Sequence, residues 1–153
     1  MRKVRNLVGM PVIYRRKKIG RLIQVQLSPD LKQMEGVWVD GGLRGTLYIP
    51  SEQLSMIGKM AVMADARGTR RKLHNIQPLY RAVSTDGRRL GAIVGAEVDE
   101  ISFLVCRLEL MRGIWDDYYF GRFPVVRYSV NPEKSEVIVL DPANDEERED
   151  DPQ

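Results

Sequence analysis

A single histidine and a single cysteine narrow the chemistry that this chain can perform. His74 lies in the run Arg70-Arg71-Lys72-Leu73-His74-Asn75, where a solvated side chain is the ordinary state of the residue. Cys106 ends Phe103-Leu104-Val105-Cys106, the setting of a small buried hydrophobe rather than of an activated thiolate. One Cys and one His cannot assemble a Cys/His transition-metal site within one chain. The nearest approach to an acid–base pair is Asp116-Asp117, beside Trp115 and Tyr118-Tyr119. Neighbours on an extended strand face opposite ways, so these carboxylates would not cooperate and read better as shaping a turn. Gly41-Gly42-Leu43-Arg44-Gly45 lacks the Lys-Ser/Thr ending and the following helix of a P-loop, and no dinucleotide fingerprint is present. The expectation is a non-enzymatic protein that uses no cofactor and no metal.

Two features then stand as candidates for binding. The first is aromatic: Trp115, Tyr118, Tyr119 and Arg122 fall within residues 114–123, a stretch with the composition of an interaction hot spot. Aromatics also serve strands and cores. The reading therefore turns Trp115 and Phe123 inward and leaves Tyr118, Tyr119 and Arg122 to a protein partner. The second feature is basic. Arg15, Arg16, Lys17 and Lys18 occupy an expected turn, Arg67, Arg70, Arg71 and Lys72 a linker, and Arg2, Lys3 and Arg5 the start of the chain. Gathered on one face, these residues would attract RNA or a ribosomal component, an acidic protein or an anionic lipid surface; scattered, they are solvated turns. No aromatic residues interleave with them as a base-stacking platform requires. Protein–protein docking is the leading expectation and RNA binding or ribosome assembly its rival. Peripheral membrane association and a homodimer are further candidates.

Composition bounds the setting of these residues. An apolar fraction of 43% suffices for a buried core. No apolar run approaches the roughly 20 residues needed to span a bilayer, and no apolar signal-peptide core follows Met1-Arg2-Lys3. With the single cysteine, this favours a reducing cytoplasm. The net charge of +3 conceals a segregation. From Asn144 onward, six carboxylates meet one Arg148, a net of −5, which leaves +8 on residues 1–143. Such an acidic end, with no apolar periodicity, reads as disordered. It would aid solubility or fold back on the basic body.

The elements that must position these residues read as β, and they repeat. Lys18-Ile19-Gly20-Arg21-Leu22-Ile23-Gln24-Val25-Gln26-Leu27 is answered by Arg89-Leu90-Gly91-Ala92-Ile93-Val94-Gly95-Ala96-Glu97-Val98. At an offset of 71, Ile19 matches Leu90, Gly20 matches Gly91, and Ile23, Val25 and Leu27 match Val94, Ala96 and Val98. This is the period of 2 of a strand with one buried face. Tyr48-Ile49-Pro50 is then answered by Arg122-Phe123-Pro124, and Ala61-Val62-Met63 by Glu136-Val137-Ile138. Asp40-Gly41-Gly42 and Asp86-Gly87 are hairpin signals, and Asn131-Pro132 breaks the chain. Pro50 and Pro124 should end their strands. Ser51-Glu52-Gln53-Leu54 should form one helical turn.

Leu7-Val8-Gly9-Met10-Pro11-Val12, Lys18-Ile19-Gly20, Val37-Trp38-Val39-Asp40-Gly41-Gly42 and Ile49-Pro50 before Met56-Ile57-Gly58 together resemble the PRC-barrel family. The resemblance covers residues 7–65 well and 79–141 more loosely. The second half lacks the opening glycine (Leu79-Tyr80-Arg81-Ala82-Val83) and replaces the short hairpin by residues 111–122. The resemblance implies a six-stranded barrel in each half and a role in docking rather than catalysis. Its members include the cytoplasmic domain of the photosynthetic reaction-centre H subunit and the C-terminal domain of the ribosome maturation factor RimM. The first packs on a membrane complex and the second binds a ribosomal protein. The expected fold is thus all-β, two tandem small PRC-barrel-like barrels packed side by side with short helical turns only. Residues 1–66 form repeat 1, 67–77 a basic linker, 78–142 repeat 2 and 143–153 the acidic tail.

Overall fold

The computed structural model describes residues 1–73, 79–112 and 122–140, and over these the chain is all β with only three-residue 3-10 turns as helix. The first half holds β1 (Arg2–Lys3), β2 (Pro11–Tyr14), β3 (Lys17–Leu27), β4 (Met34–Asp40), β5 (Thr46–Pro50), β6 (Leu54–Ile57), β7 (Val62–Ala64) and β8 (Thr69–Arg70). The second holds β9 (Arg81–Val83), β10 (Arg89–Val98), β11 (Val105–Met111), β12 (Arg122–Val125), β13 (Tyr128–Asn131) and β14 (Glu136–Val139). Ser51–Gln53 forms the single turn expected after Pro50.

Two seven-stranded sheets result, and their strand orders correspond. One runs β6-β7-β2-β3-β4-β5-β8; the other runs β13-β14-β9-β10-β11-β12, with β1 pairing on β10. In each, an antiparallel meander is joined by one parallel pairing, β2 with β7 and β9 with β14. The three sequence matches fall on topologically equivalent strands. The repeat is therefore a repeat of architecture.

The Gly20–Gly91 match has a physical cause. A Cβ on Gly20 would run into the carbonyl oxygen of Asp40, with Val39 Cγ1 2.7 Å away. A Cβ on Gly91 would run into the carbonyl oxygen of Met111, with the Cα of Arg112 at 2.9 Å. Asp40 and Met111 are themselves 71 residues apart. Both halves thus need glycine where the long strand crosses its neighbour's backbone.

Two sequence expectations are corrected. The strict alternation on β3 fails: Ile19, Leu22 and Val25 are buried, whereas Ile23 is half-buried. The pairing steps from Leu22–Val39 to Gln24–Trp38, so Ile23 is the extra residue of a β-bulge, which resets which face points inward. Pro124 does not end its strand either. It pairs opposite Glu109 inside β12, and Val125 continues the ladder to Leu108. Because β12 is an edge strand, the missing N–H breaks no bond on its open side.

The chain divides into two compact units: Met1–Gln77 with Ala96–Cys106, and Pro78–Gly95 with Arg107–Gln153. Residues 96–106, counted with the second repeat by sequence, therefore group with the first unit. Val98 and Phe103 join a core built from Leu7, Val12, Leu22, Val37, Ile49 and Val62. Backbone bonds fix this segment: Met34 N–H donates to Phe103 O at 2.9 Å, Val105 N–H to Lys32 O at 2.9 Å and Ile57 N–H to Glu100 O at 2.9 Å. The second unit buries Tyr80, Ala82, Leu108, Leu110, Val125, Tyr128, Val137 and Val139.

Three turns are held by aspartates. Asp99 Oδ1 accepts from the N–H groups of Ile101 and Ser102, at 2.9 and 2.7 Å. Asp30 accepts from Ser28 Oγ and Lys32 N–H, and Asp86 from Ser84 Oγ. Backbone donors at Asp99, and the serine hydroxyls at Asp30 and Asp86, hold all three carboxyls below the ordinary range. A depressed folded pKa contributes stability that is complete above the unfolded value of about 3.9 and lost as pH falls through the folded value. Thermal stability should thus decline below about pH 4. Asp99→Ala should lower the melting temperature at neutral pH and flatten the acid decline; an unchanged slope would assign the decline to other carboxylates.

Candidate docking surface

The first sheet gathers at one end most of the basic residues that the sequence scatters. Tyr14 pairs with Lys17, so β2 and β3 are joined by a two-residue turn whose central residues are Arg15 and Arg16. Both adopt positive φ, 49° and 67°. This is the hairpin geometry that Asn-Gly fits best, and two arginines there carry backbone strain. Along the same end, Arg21 pairs opposite Asp40 and Asp40 opposite Thr46. Residues 41–45 therefore form the next loop, which carries Arg44. Leu47 pairs with Arg70, and Arg71 N–H donates to Thr46 O at 3.0 Å. The chain leaves β8 through Arg71 and Lys72 beside that loop.

Strand register thus places Arg15, Arg16, Lys17, Lys18, Arg21, Arg44, Arg70, Arg71 and Lys72 at one end of one sheet, and all are exposed. Asp40 and Asp65 share that end, and Glu35 and Glu52 act on Tyr48 beside the Arg71 guanidinium. Asp40 spends Oδ1 on the N–H of Gly42 at 2.9 Å, and Asp65 accepts from Ser55 Oγ at 2.7 Å. An open groove of about 330 Å³ runs between residues 18–21 and 40–42. Of the eleven basic residues singled out from sequence, Arg15, Arg16, Lys17, Lys18, Arg70, Arg71 and Lys72 are in this group. Arg67 and Arg5 are not placed in it by register, and Arg2 and Lys3 pair with β10 in the other sheet. Arg21 and Arg44 were missed, because only the pairing of β3 with β4 and β4 with β5 brings them in.

The loop after β4 is rigid. Gly41 N–H donates to Gly45 O at 2.8 Å, Arg44 N–H to Gly41 O at 3.2 Å and Gly45 N–H to Gly42 O at 3.0 Å. The Arg70 side chain passes over Gly45, where an added Cβ would meet its Nε at 3.1 Å. At the tip stands Leu43, fully exposed at 107% of its reference area.

The described aromatic rings near this end already have partners; the Arg15 guanidinium stands 5.1 Å over the Tyr14 ring. Trp38 is 3% exposed, and its Nε1 donates to Gln26 Oε1 at 3.0 Å. Its ring lies 4.8 Å from that of Tyr48, and the Arg71 guanidinium stands over both, at 5.7 and 5.0 Å. Burial, and then the charge of Glu35, push the Tyr48 hydroxyl above its ordinary pKa, and Arg71 opposes them. Arg71 therefore ties β8 to the sheet as well as adding charge.

Of the aromatic stretch, Trp115, Tyr118 and Tyr119 lie outside the described residues, as do Asp116, Asp117, His74 and the acidic tail. Arg122 is described. Its Nη1 donates to Glu109 Oε2 at 2.8 Å, and Glu109 is 7% exposed. The Arg112 guanidinium stands 4.8 Å over the Phe123 ring. Arg122 thus braces β11 against β12. Arg122→Ala should cost about 1–3 kcal/mol by removing a charged partner from a buried carboxylate. A chemical melt reads this directly; unchanged stability would free Arg122 for a partner role.

Among the described residues no group of His, Cys, Asp and Glu could hold a metal ion, and no helix is long and apolar enough to cross a membrane. Neither a family model nor a curated protein matches the chain.

Proposed function

We propose that this chain is a non-enzymatic docking module of the PRC-barrel type, cytoplasmic, which engages a polyanionic partner through the basic end of its first sheet. The observation that carries the reading is convergence: two separate basic segments, Arg15–Lys18 and Arg70–Lys72, and two further arginines meet at one sheet end. Nine basic residues placed at one sheet end concentrate positive charge in a way that the net charge of +3 conceals. The strained Arg15-Arg16 turn points the same way. A strained conformation held by residues that fit it poorly is retained where the residues themselves are needed. The duplicated strand order and the Lys18-Ile19-Gly20 and Ile49-Pro50 motifs support the family reading, and with it docking rather than catalysis.

Retention on immobilised heparin tests the reading. The wild-type chain should elute late, and Arg15→Glu with Arg16→Glu should elute early. Arg88→Glu with Arg89→Glu, on the other sheet, should behave as wild type. Equal retention of all three proteins would reject the basic end as the docking surface.

A further inference from the structure

The tip residue of the basic end does not suit a purely ionic partner. Leu43 is the most exposed large hydrophobe among the described residues, and no fold contact explains its presence. Its neighbours Gly41, Gly42 and Gly45 add no side chain around it, so it stands clear. The 3-10 turn that carries it is closed by three backbone hydrogen bonds and by Asp40, so presenting Leu43 requires no further ordering. Arg44 follows it in the same loop, Arg70 passes over Gly45, and Lys18 lines the groove beside residues 40–42, whereas the Arg21 guanidinium donates to Gly9 O at 2.9 Å.

An apolar tip on a loop that adjoins Arg44, Arg70 and Lys18 matches one surface in particular. At an anionic bilayer, lysine and arginine are attracted to headgroup charge while a leucine enters the acyl boundary. A phosphate backbone would satisfy the cations and leave Leu43 in water. Base stacking would need a free ring, and among the described rings at this end Tyr14 lies under the Arg15 guanidinium while Trp38 and Tyr48 pack on each other under Arg71.

We infer that the basic end docks on an anionic lipid surface, with the loop 41–45 inserting Leu43 below the headgroups. This rests on the docking reading above and names its partner class.

The test is sedimentation of the full chain with two vesicle preparations, pure phosphatidylcholine and phosphatidylcholine containing about one third phosphatidylglycerol, with a short DNA duplex as an electrostatic control. The chain should bind only the anionic vesicles. Leu43→Ser should weaken that binding about tenfold, the scale of one leucine transferred from water, and leave duplex affinity within twofold. Leu43→Trp should show blue-shifted emission on the anionic vesicles alone. Duplex binding without vesicle binding, or vesicle binding indifferent to Leu43→Ser, would overturn the lipid inference and leave polyanion docking standing. Failure to bind either probe would overturn both.

Discussion

Gly20→Ala is expected to destabilise the first unit by about 3 kcal/mol, the upper range for forcing an extra methyl into a packed site. The new Cβ would collide with the Asp40 carbonyl and with Val39. Neither can retreat cheaply, because Asp40 pairs with both Arg21 and Thr46 and Val39 is fully buried. Most glycine-to-alanine changes in strands are mild or helpful; this one should not be. Gly91→Ala should show the same penalty in the second unit, against Met111 and Arg112, with the added strain of a φ of +152°. Gly42→Ala separates crowding from backbone strain: nothing lies within 4 Å of its added Cβ, so only its φ of +65° opposes alanine, at a cost of about 1 kcal/mol. Urea denaturation of the three variants reads the comparison. Equal midpoints for Gly20→Ala and wild type would mean that the strand crossing is looser than described.

The second large effect concerns binding. Reversing Arg15, Arg16, Lys17 and Lys18 to glutamate should lower duplex affinity at least a hundredfold at low salt. Each phosphate neutralised releases counterions, and four reversals remove a large share of the nine cations while adding repulsion. Stability should move little, because all four side chains are exposed and surface substitutions usually cost within about 0.5 kcal/mol. The turn itself would keep its positive φ values, so residual strain is common to both proteins. Loss of binding with an unchanged melt is the expected pair of results.

Much of the fold was legible in the sequence, and the reasons are local. Gly20 and Gly91 stand out because a backbone crossing leaves no choice of residue. Asp40-Gly41-Gly42 and Asp86-Gly87 mark turns because their conformations demand it. The bulge at Ile23 left no such mark: any residue can be the extra one, and only the partner strand shows which is skipped. Pro124 misled because an edge strand tolerates it and edges are not visible in one segment. The site was legible in its parts but not in its assembly. Arg15 to Lys18 and Arg70 to Lys72 read as basic runs, whereas their meeting depends on three successive strand pairings. Leu43 carried no signal at all, since its significance is its exposure.

The salt dependence of duplex binding bears most directly on the claim that a concentrated basic end is the docking surface. With about six phosphates engaged, affinity should fall roughly a thousandfold between about 50 and 200 mM salt, as a straight line in log–log form. The four-residue reversal should flatten that line as well as lower it. A wild-type slope near zero, or a reversal variant with the wild-type slope, would contradict the claim.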